Sequence, residues 1–161
     1  MVNDYPPGSQ GSSSMLALYT PTVGDHPELL QVWEASVRAT HDFLAPAYIE
    51  LLRDQVLPRY LDAVALSCCK AADGRIMGFA GTAEDRLDML FVAPQYHGQG
   101  VGSRLLGHAV QSGARTLDVN EQNPKALGFY LRHGFEVTGR SPSDGLGQPY
   151  PLLHMRLATL R

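Results

Sequence analysis

The chain has little with which to hold a disulfide, a metal ion or a polyanion. Only two of its 161 residues are cysteines, Cys68 and Cys69. Neighbouring residues on a strand point to opposite faces, which is a poor geometry for a bridge, and no histidine stands near them in sequence to activate a thiolate. They read as reduced core residues. The six histidines (26, 41, 97, 108, 133 and 154) include no i, i+4 pair and have no cysteine neighbour, so no metal is expected. Basic residues number 13 against 16 acidic ones, a net charge of −3. That balance lacks the clustered Lys and Arg of a nucleic-acid binder or a membrane-surface protein, so neither partner is expected. No run approaches the roughly 18 apolar residues of a membrane span, and MVNDYPPGSQGSSS lacks the basic and apolar regions of a signal peptide. A cytoplasmic location is the expectation.

What the chain does have is enough apolar content, 44% of residues, to bury one core. A flexible tail is expected over residues 1–14, where Gly, Ser and Pro dominate, and a single domain over 15–161. MLALYTPTV suits a first strand. HPELLQVWEASVRATHDFL has helical apolar spacing at Leu29, Val32, Trp33 and Val37, and a second short helix is expected over 46–57. AVALSCCKA, RIMGFAGTA and LDMLFVA read as a meander of three strands, with Asp73-Gly74 turning the first hairpin. Beyond them, Val101, Leu105, Leu106, Ala109 and Val110 fall on one helix face that stops near Gly113. ARTLDVN is a strand. NPKALGFYLRHGF opens on an Asn-Pro cap, aligns Ala126, Phe129, Tyr130 and His133, and closes on Gly134. FEVTGR and PYPLLHMRL complete the order. The class is α+β, with a mixed, mostly antiparallel sheet of about seven strands flanked by about four helices.

Between LDMLFVA and the third helix lies QYHGQGVGSRLL, with glycines at 98, 100 and 102 and no acidic residue. The first N–H groups of a helix lack partners within it and carry partial positive charge, and glycines allow an anion to approach them closely. The bland alternative is a loop whose glycines only permit close packing. Two familiar phosphate cradles do not fit. A P-loop ends in Gly-Lys-Ser/Thr, whereas Gly102 precedes Ser103 and Arg104. A dinucleotide fingerprint counted from Gly98 would need a glycine where Ser103 stands.

The element order, FVAP before YHGQGVGSRLL, and the later NPKALGFYLRHGFEVTGR together resemble the GNAT superfamily of acetyl-CoA-dependent N-acetyltransferases. SVRATHDFL, DVNEQNPKALGFY and GRSPSDGLGQPYPLLHM look, within it, like the YjaB group of bacterial acetyltransferases. The resemblance runs from about residue 15 to the end. It implies acetyl-CoA as co-substrate, with its pyrophosphate on His97, Gly98, Gln99, Gly100, Val101, Gly102, Ser103 and Arg104. His97 departs from the family's usual Arg or Gln. The resemblance also implies that the backbone of Leu90, Phe91 and Val92 pairs with the pantetheine arm and that Asn123 bonds the same arm. Tyr130 then becomes the acid that protonates the departing thiolate. From spacing alone, Tyr130 reads as a core tyrosine, Asn123 as a helix cap and Arg104 as a solvated helix residue.

The acceptor side is thinner. His41 and Asp42, after the first helix, fall where this family commonly walls the acceptor pocket; His41 also suits plain capping of a helix end. Asn120 and Glu121 fall where the sheet would open beside the acetyl group; Glu121 reads first as a solvated loop carboxylate and second as a base for the amine proton. The implied activity is transfer of acetyl to a primary amine through a tetrahedral intermediate, the acceptor being a small molecule or a protein lysine or N-terminus. A non-catalytic CoA-binding sensor is the competing reading. Monomer and homodimer are both compatible with this sequence.

Overall fold

The computed structural model describes residues 16–159; the tail expected over 1–14 lies outside the described residues. Seven strands form one sheet: β1 (Leu18–Tyr19), β2 (Ala65–Lys70), β3 (Ile76–Ala83), β4 (Arg86–Val92), β5 (Thr116–Asn120), β6 (Phe135–Ser141) and β7 (Leu152–Leu157). Their order is β1-β2-β3-β4-β5-β7-β6. Every pair is antiparallel except β4 with β5. The expected class and the order of elements along the chain are thus met, with two differences in length.

β1 is only two residues, because Pro21 has no N–H for a ladder and Thr22 turns with Asp25 into a capping box. The second helical stretch is longer than expected. It runs as α2 (Pro46–Leu51), a π turn (Leu52–Val56) and α3 (Leu57–Ala63) without a break. Pro58 lies in the first turn after the π segment, and a proline there would clash with the carbonyl of an unbroken α-helix; widening the turn avoids this.

Two apolar clusters form on the sheet's faces. On one, α1 (His26–Thr40) buries Leu29, Val32, Trp33, Ser36 and Val37, the i, i+3, i+4 stripe of an amphipathic helix, with Leu57, Leu61, Phe79 and Met89. On the other, α4 (Val101–Gln111) and α5 (Pro124–Arg132) pack Leu105, Leu106, Phe129 and Tyr130 against Leu90, Val92, Leu117 and Met155. The cysteines divide between them as expected, Cys68 in the first cluster and Cys69 in the second, both fully buried and free.

α4 sits unusually close to the sheet. A Cβ built on Gly78 would lie 2.8 Å from the Phe91 carbonyl oxygen and 3.0 Å from Val101 Cγ1. Gly78 is therefore the clearance that lets the start of α4 seat on β3 and β4. Gly78→Ala is expected to destabilise the fold by about 1–3 kcal/mol through overpacking. A urea titration read by circular dichroism checks this, and an unchanged midpoint would contradict the account.

Candidate active site

β4 and β5 pair only at Arg86–Thr116 and Leu87–Leu117; beyond those two rungs the parallel strands part. An extra residue, Asp88, bulges β4 at this point, since Thr82 faces Leu87 while Gly81 faces Met89. Bulges bend a strand and reverse which side chains face which layer. Leu87 and Leu90 accordingly both join the α4–α5 cluster, whereas Met89 joins the α1 cluster.

The parting leaves β4 with an open edge. Ala93 N–H bonds the Met77 carbonyl at 2.9 Å, which sets the phase of the β3–β4 ladder. Alternation then turns the backbone groups of Leu90 and Val92 away from β3 and toward the cleft, and keeps those of Phe91 in the sheet. Of the three residues expected to meet a pantetheine arm, Leu90 and Val92 have the backbone to do so. Phe91 contributes its ring to the opposite face, edge-on to Trp33 at 6.4 Å.

At the foot of this edge lies the glycine loop. Gly98 and Gly100 adopt φ of +77° and +82°, conformations that favour glycine. Gly100 caps α4, and no side chain caps the helix. The first N–H to bond back into the helix belongs to Arg104, donating to the Gly100 carbonyl at 3.0 Å. The amides of Val101, Gly102 and Ser103 are thus the first-turn donors available to an anion.

Two residues expected to touch phosphate also make bonds within the protein. Arg104 has its amide engaged and donates Nε–H to the Leu16 carbonyl at 3.0 Å, which ties the N-terminal segment to α4. His97 turns its Nε2 back to the Val92 carbonyl at 2.9 Å, pinning the loop to the end of β4. Gln99 Nε2 donates to Gln95 O at 3.3 Å, and the Ser103 hydroxyl meets His133 Nε2 at 3.1 Å, tying α4 to the end of α5.

The cleft between the parted strands is lined by Leu90, Phe91, Val119, Asn120, Asn123, Tyr130 and His41, among others. Asn123 caps α5 as expected, accepting from Ala126 N–H at 3.2 Å. Tyr130 is 7% exposed, packed edge-on against Phe129 at 5.2 Å and Phe135 at 6.1 Å. Burial pushes its phenol above the ordinary range, so it is a proton donor throughout the neutral range.

Thr40 donates its one hydroxyl hydrogen to the Ser36 carbonyl at 2.7 Å and therefore accepts from His41 Nδ1–H, also at 2.7 Å. Nε2 of His41 is left as an acceptor. Burial pushes this imidazole down to about 4, so it is neutral at physiological pH. The other two expected acceptor-side residues do not join the cleft. Asp42 is exposed in the turn after α1. Glu121 turns outward onto Arg140, at 2.5 Å, whose guanidinium holds its carboxyl below the ordinary range; it is an exposed carboxylate at the strand end, as its first reading expects.

A second cavity opens from the cleft, sharing Leu87, Asp88, Met89, Phe91, Asp118 and Asn120 with it. Its walls are apolar, with aliphatic residues such as Leu44, Leu52, Val56 and Leu57 beside the rings of Trp33, Tyr48, Tyr60 and Phe91, and it carries Asp88, Asp118 and Asp144 against one cation, Arg86. The β6–β7 loop forms one wall by clamping onto α2. Tyr48 donates to Asp144, Tyr150 stacks on Tyr48 at 5.3 Å, and Ala45 N–H donates to the Tyr150 hydroxyl at 3.2 Å. The sequence reading missed most of these residues. The available signal was a lone aspartate within each of LDMLF and TLDVN, a charge inside an otherwise apolar strand.

A family model for the GNAT acetyltransferase domain matches residues 65–137, which span the meander, the glycine loop, β5, α5 and the start of β6. The chain is 41% identical over 129 residues to the peptidyl-lysine N-acetyltransferase YjaB of Salmonella typhimurium, covering 80% of this chain and 88% of that one. The chain belongs to the GNAT acetyltransferase family. YjaB of Escherichia coli is 43% identical over 129 residues, covering 80% of this chain and 87% of that one. The solution structure of its apo form superposes with a TM-score of 0.81 at 38% identity, covering 91% and 99%. A GNAT neighbour of shared fold, the PaiA N-acetyltransferase of Thermoplasma acidophilum in complex with coenzyme A, has a TM-score of 0.64 at 18% identity, covering 89% and 99%. The GNAT fold takes acetyl-CoA, and the loop amides and open β4 edge described here suit a diphosphate followed by an extended amide-bearing arm.

His41 also makes a stability prediction. The unfolded ring titrates near 6.5 and binds a proton that the folded ring refuses until about 4, so stability rises with pH across that window and is lost as pH falls through it. Melting temperatures measured from pH 7 to 4 should fall less steeply in His41→Gln than in the wild type. Parallel curves would contradict a buried neutral His41.

Proposed function

We propose that this GNAT enzyme transfers the acetyl group of acetyl-CoA to the side-chain amine of a protein or peptide lysine. The observation that carries the acceptor class is the second cavity. Apolar walls, aliphatic and aromatic, suit the methylene stem of an aminoalkyl chain, and its three carboxylates against one arginine suit an ammonium head. The 41–43% identity to proteins described as peptidyl-lysine N-acetyltransferases points the same way.

Acetyl-CoA supplies an activated thioester. The amides of Val101, Gly102 and Ser103 would hold its pyrophosphate, and Val92 and Asn123 its arm. The Leu90 N–H, on the open edge of β4, would face the carbonyl oxygen and stabilise the charge that develops there as the amine attacks. Tyr130 would donate a proton to the leaving sulfur. Its phenol is a weaker acid than a thiol, which titrates near 8.5, so position must carry this transfer. Its hydroxyl has no hydrogen-bond partner among the described residues, which leaves it available to the sulfur.

Tyr130→Phe should retain acetyl-CoA binding and lower kcat by roughly 100-fold, the scale of a lost general acid. Thiol release with a lysine peptide, alongside a binding titration, checks both. Turnover near the wild-type rate would overturn Tyr130 as the acid.

A further inference from the structure

Resting on the lysine-acetylating reading above, we propose that Asp118, backed by His154 and Ser141, is the proton acceptor for the incoming ammonium. Asp118 lines both the cleft that holds Tyr130 and the acceptor cavity, so it stands where the two substrates would meet. Leu117 and Val119 on either side of it enter the α4–α5 core, and strand alternation therefore turns Asp118 to the other face.

Behind it runs a hydrogen-bonded chain. His154, its register partner on β7, brings Nδ1 to 2.6 Å from Asp118 Oδ1, and Ser141 Oγ lies 2.7 Å from His154 Nε2. An ionised carboxylate only accepts, so Nδ1 carries the hydrogen, and in the neutral ring Nε2 accepts from the Ser141 hydroxyl. A bulge assembles this chain. Without the extra residue at Thr138 the β6–β7 register would set Ser141 opposite Pro151, on the far face. With it, Ser141 faces Leu152 and shares a face with His154. His154 and Ser141 in this order fix the carboxylate by a donated hydrogen bond, and Asp118, whose side chain is 45% exposed, is able to take a proton at the cleft and release it to water.

Other groups set the local field. From β4, Arg86 and Asp88 face Asp118 as an ion pair. The β6–β7 loop contributes Asp144, and His41 stands across the inner cleft at the end of α1. His41 stays neutral and is a poor sink for an ammonium proton. Asp88 is held by Arg86, and Asp144 by Tyr48 and the amides of Leu146 and Gln148. Asp118 alone among these carboxylates backs onto a histidine.

The proton count closes. A C–N bond forms, the C–S bond breaks, and the ammonium nitrogen loses two protons. One passes to Asp118 and from its exposed carboxyl directly to water, with His154 Nδ1–H holding the other carboxylate oxygen; the other balances the proton given to sulfur.

The test is kcat/KM for a lysine peptide from pH 6 to 10.5 in wild type, Asp118→Asn, Asp118→Glu and His154→Gln, with acetyl-CoA binding as the folding control. Asp118→Asn should bind acetyl-CoA normally and lose about 100-fold at pH 7. That loss should shrink to a few-fold above about pH 10, where the lysine amine is already largely neutral. Asp118→Glu should recover at least about 10-fold of it, and His154→Gln should lower the rate about 10-fold and move the acidic limb of the profile. An undiminished Asp118→Asn, a deficit that is the same at pH 7 and 10, or an unmoved acidic limb in His154→Gln would overturn the proposal. A wild-type protein that binds acetyl-CoA yet acetylates no lysine peptide would instead overturn the functional reading, and this proposal with it.

Discussion

Two rungs of pairing, Arg86–Thr116 and Leu87–Leu117, hold β4 to β5, and the site exists because pairing stops there. Buried backbone groups need partners, so strands that part leave a polar edge that water or a ligand must complete. The parting sets the Leu90 and Val92 backbones on one bank, with Val119, Asn120 and Asn123 on the other. Tyr130 is delivered from below by α5. No single side chain makes this cleft. It follows from a sheet antiparallel everywhere except at one seam.

Bulges tune what the seam exposes. At Asp88 one extra residue bends β4 where it leaves β5 and reverses its alternation, so that Met89 and Phe91 cover the α1 face while Leu90 and Val92 cover the other. At Thr138 a second extra residue brings Ser141 round to His154. Each costs a regular ladder rung and each re-aims a side chain toward the acceptor side. The glycine loop is the third local device: Gly98 and Gly100 take positive φ, and Gly78 gives α4 room to approach. His97 locks that loop to Val92, which gives a structural task to a residue that departs from the family's usual Arg or Gln.

The elements proposed to hold the cofactor were legible in the sequence because their signals are local. Gly98, Gly100 and Gly102 stand within five residues, and Asn123-Pro124 announces a helix that carries Tyr130. The acceptor half was not. Asp144 could be picked out as a candidate ammonium partner, but Asp88, Asp118, Tyr48 and His154 come from three strands and a helix, and only sheet register and loop docking bring them together. Glu121 shows how adjacency misleads: it stands in sequence next to Asn120, which does line the cleft, yet the strand end turns it onto Arg140 as an exposed carboxylate. The helix over 46–57 was also cut short in the reading, because Pro58 signals a stop unless a π turn can absorb it.

The most direct test of the whole account is to map backbone amide resonances on titrating acetyl-CoA and then a lysine peptide. Acetyl-CoA should move the amides of Val101, Gly102 and Ser103 together with those of Leu90 and Val92, and the peptide should then move Asp88, Asp118 and the β6–β7 loop. Shifts from acetyl-CoA that spare the glycine loop and the β4 edge would contradict the claim that the parted strands form the acetyl-transfer site.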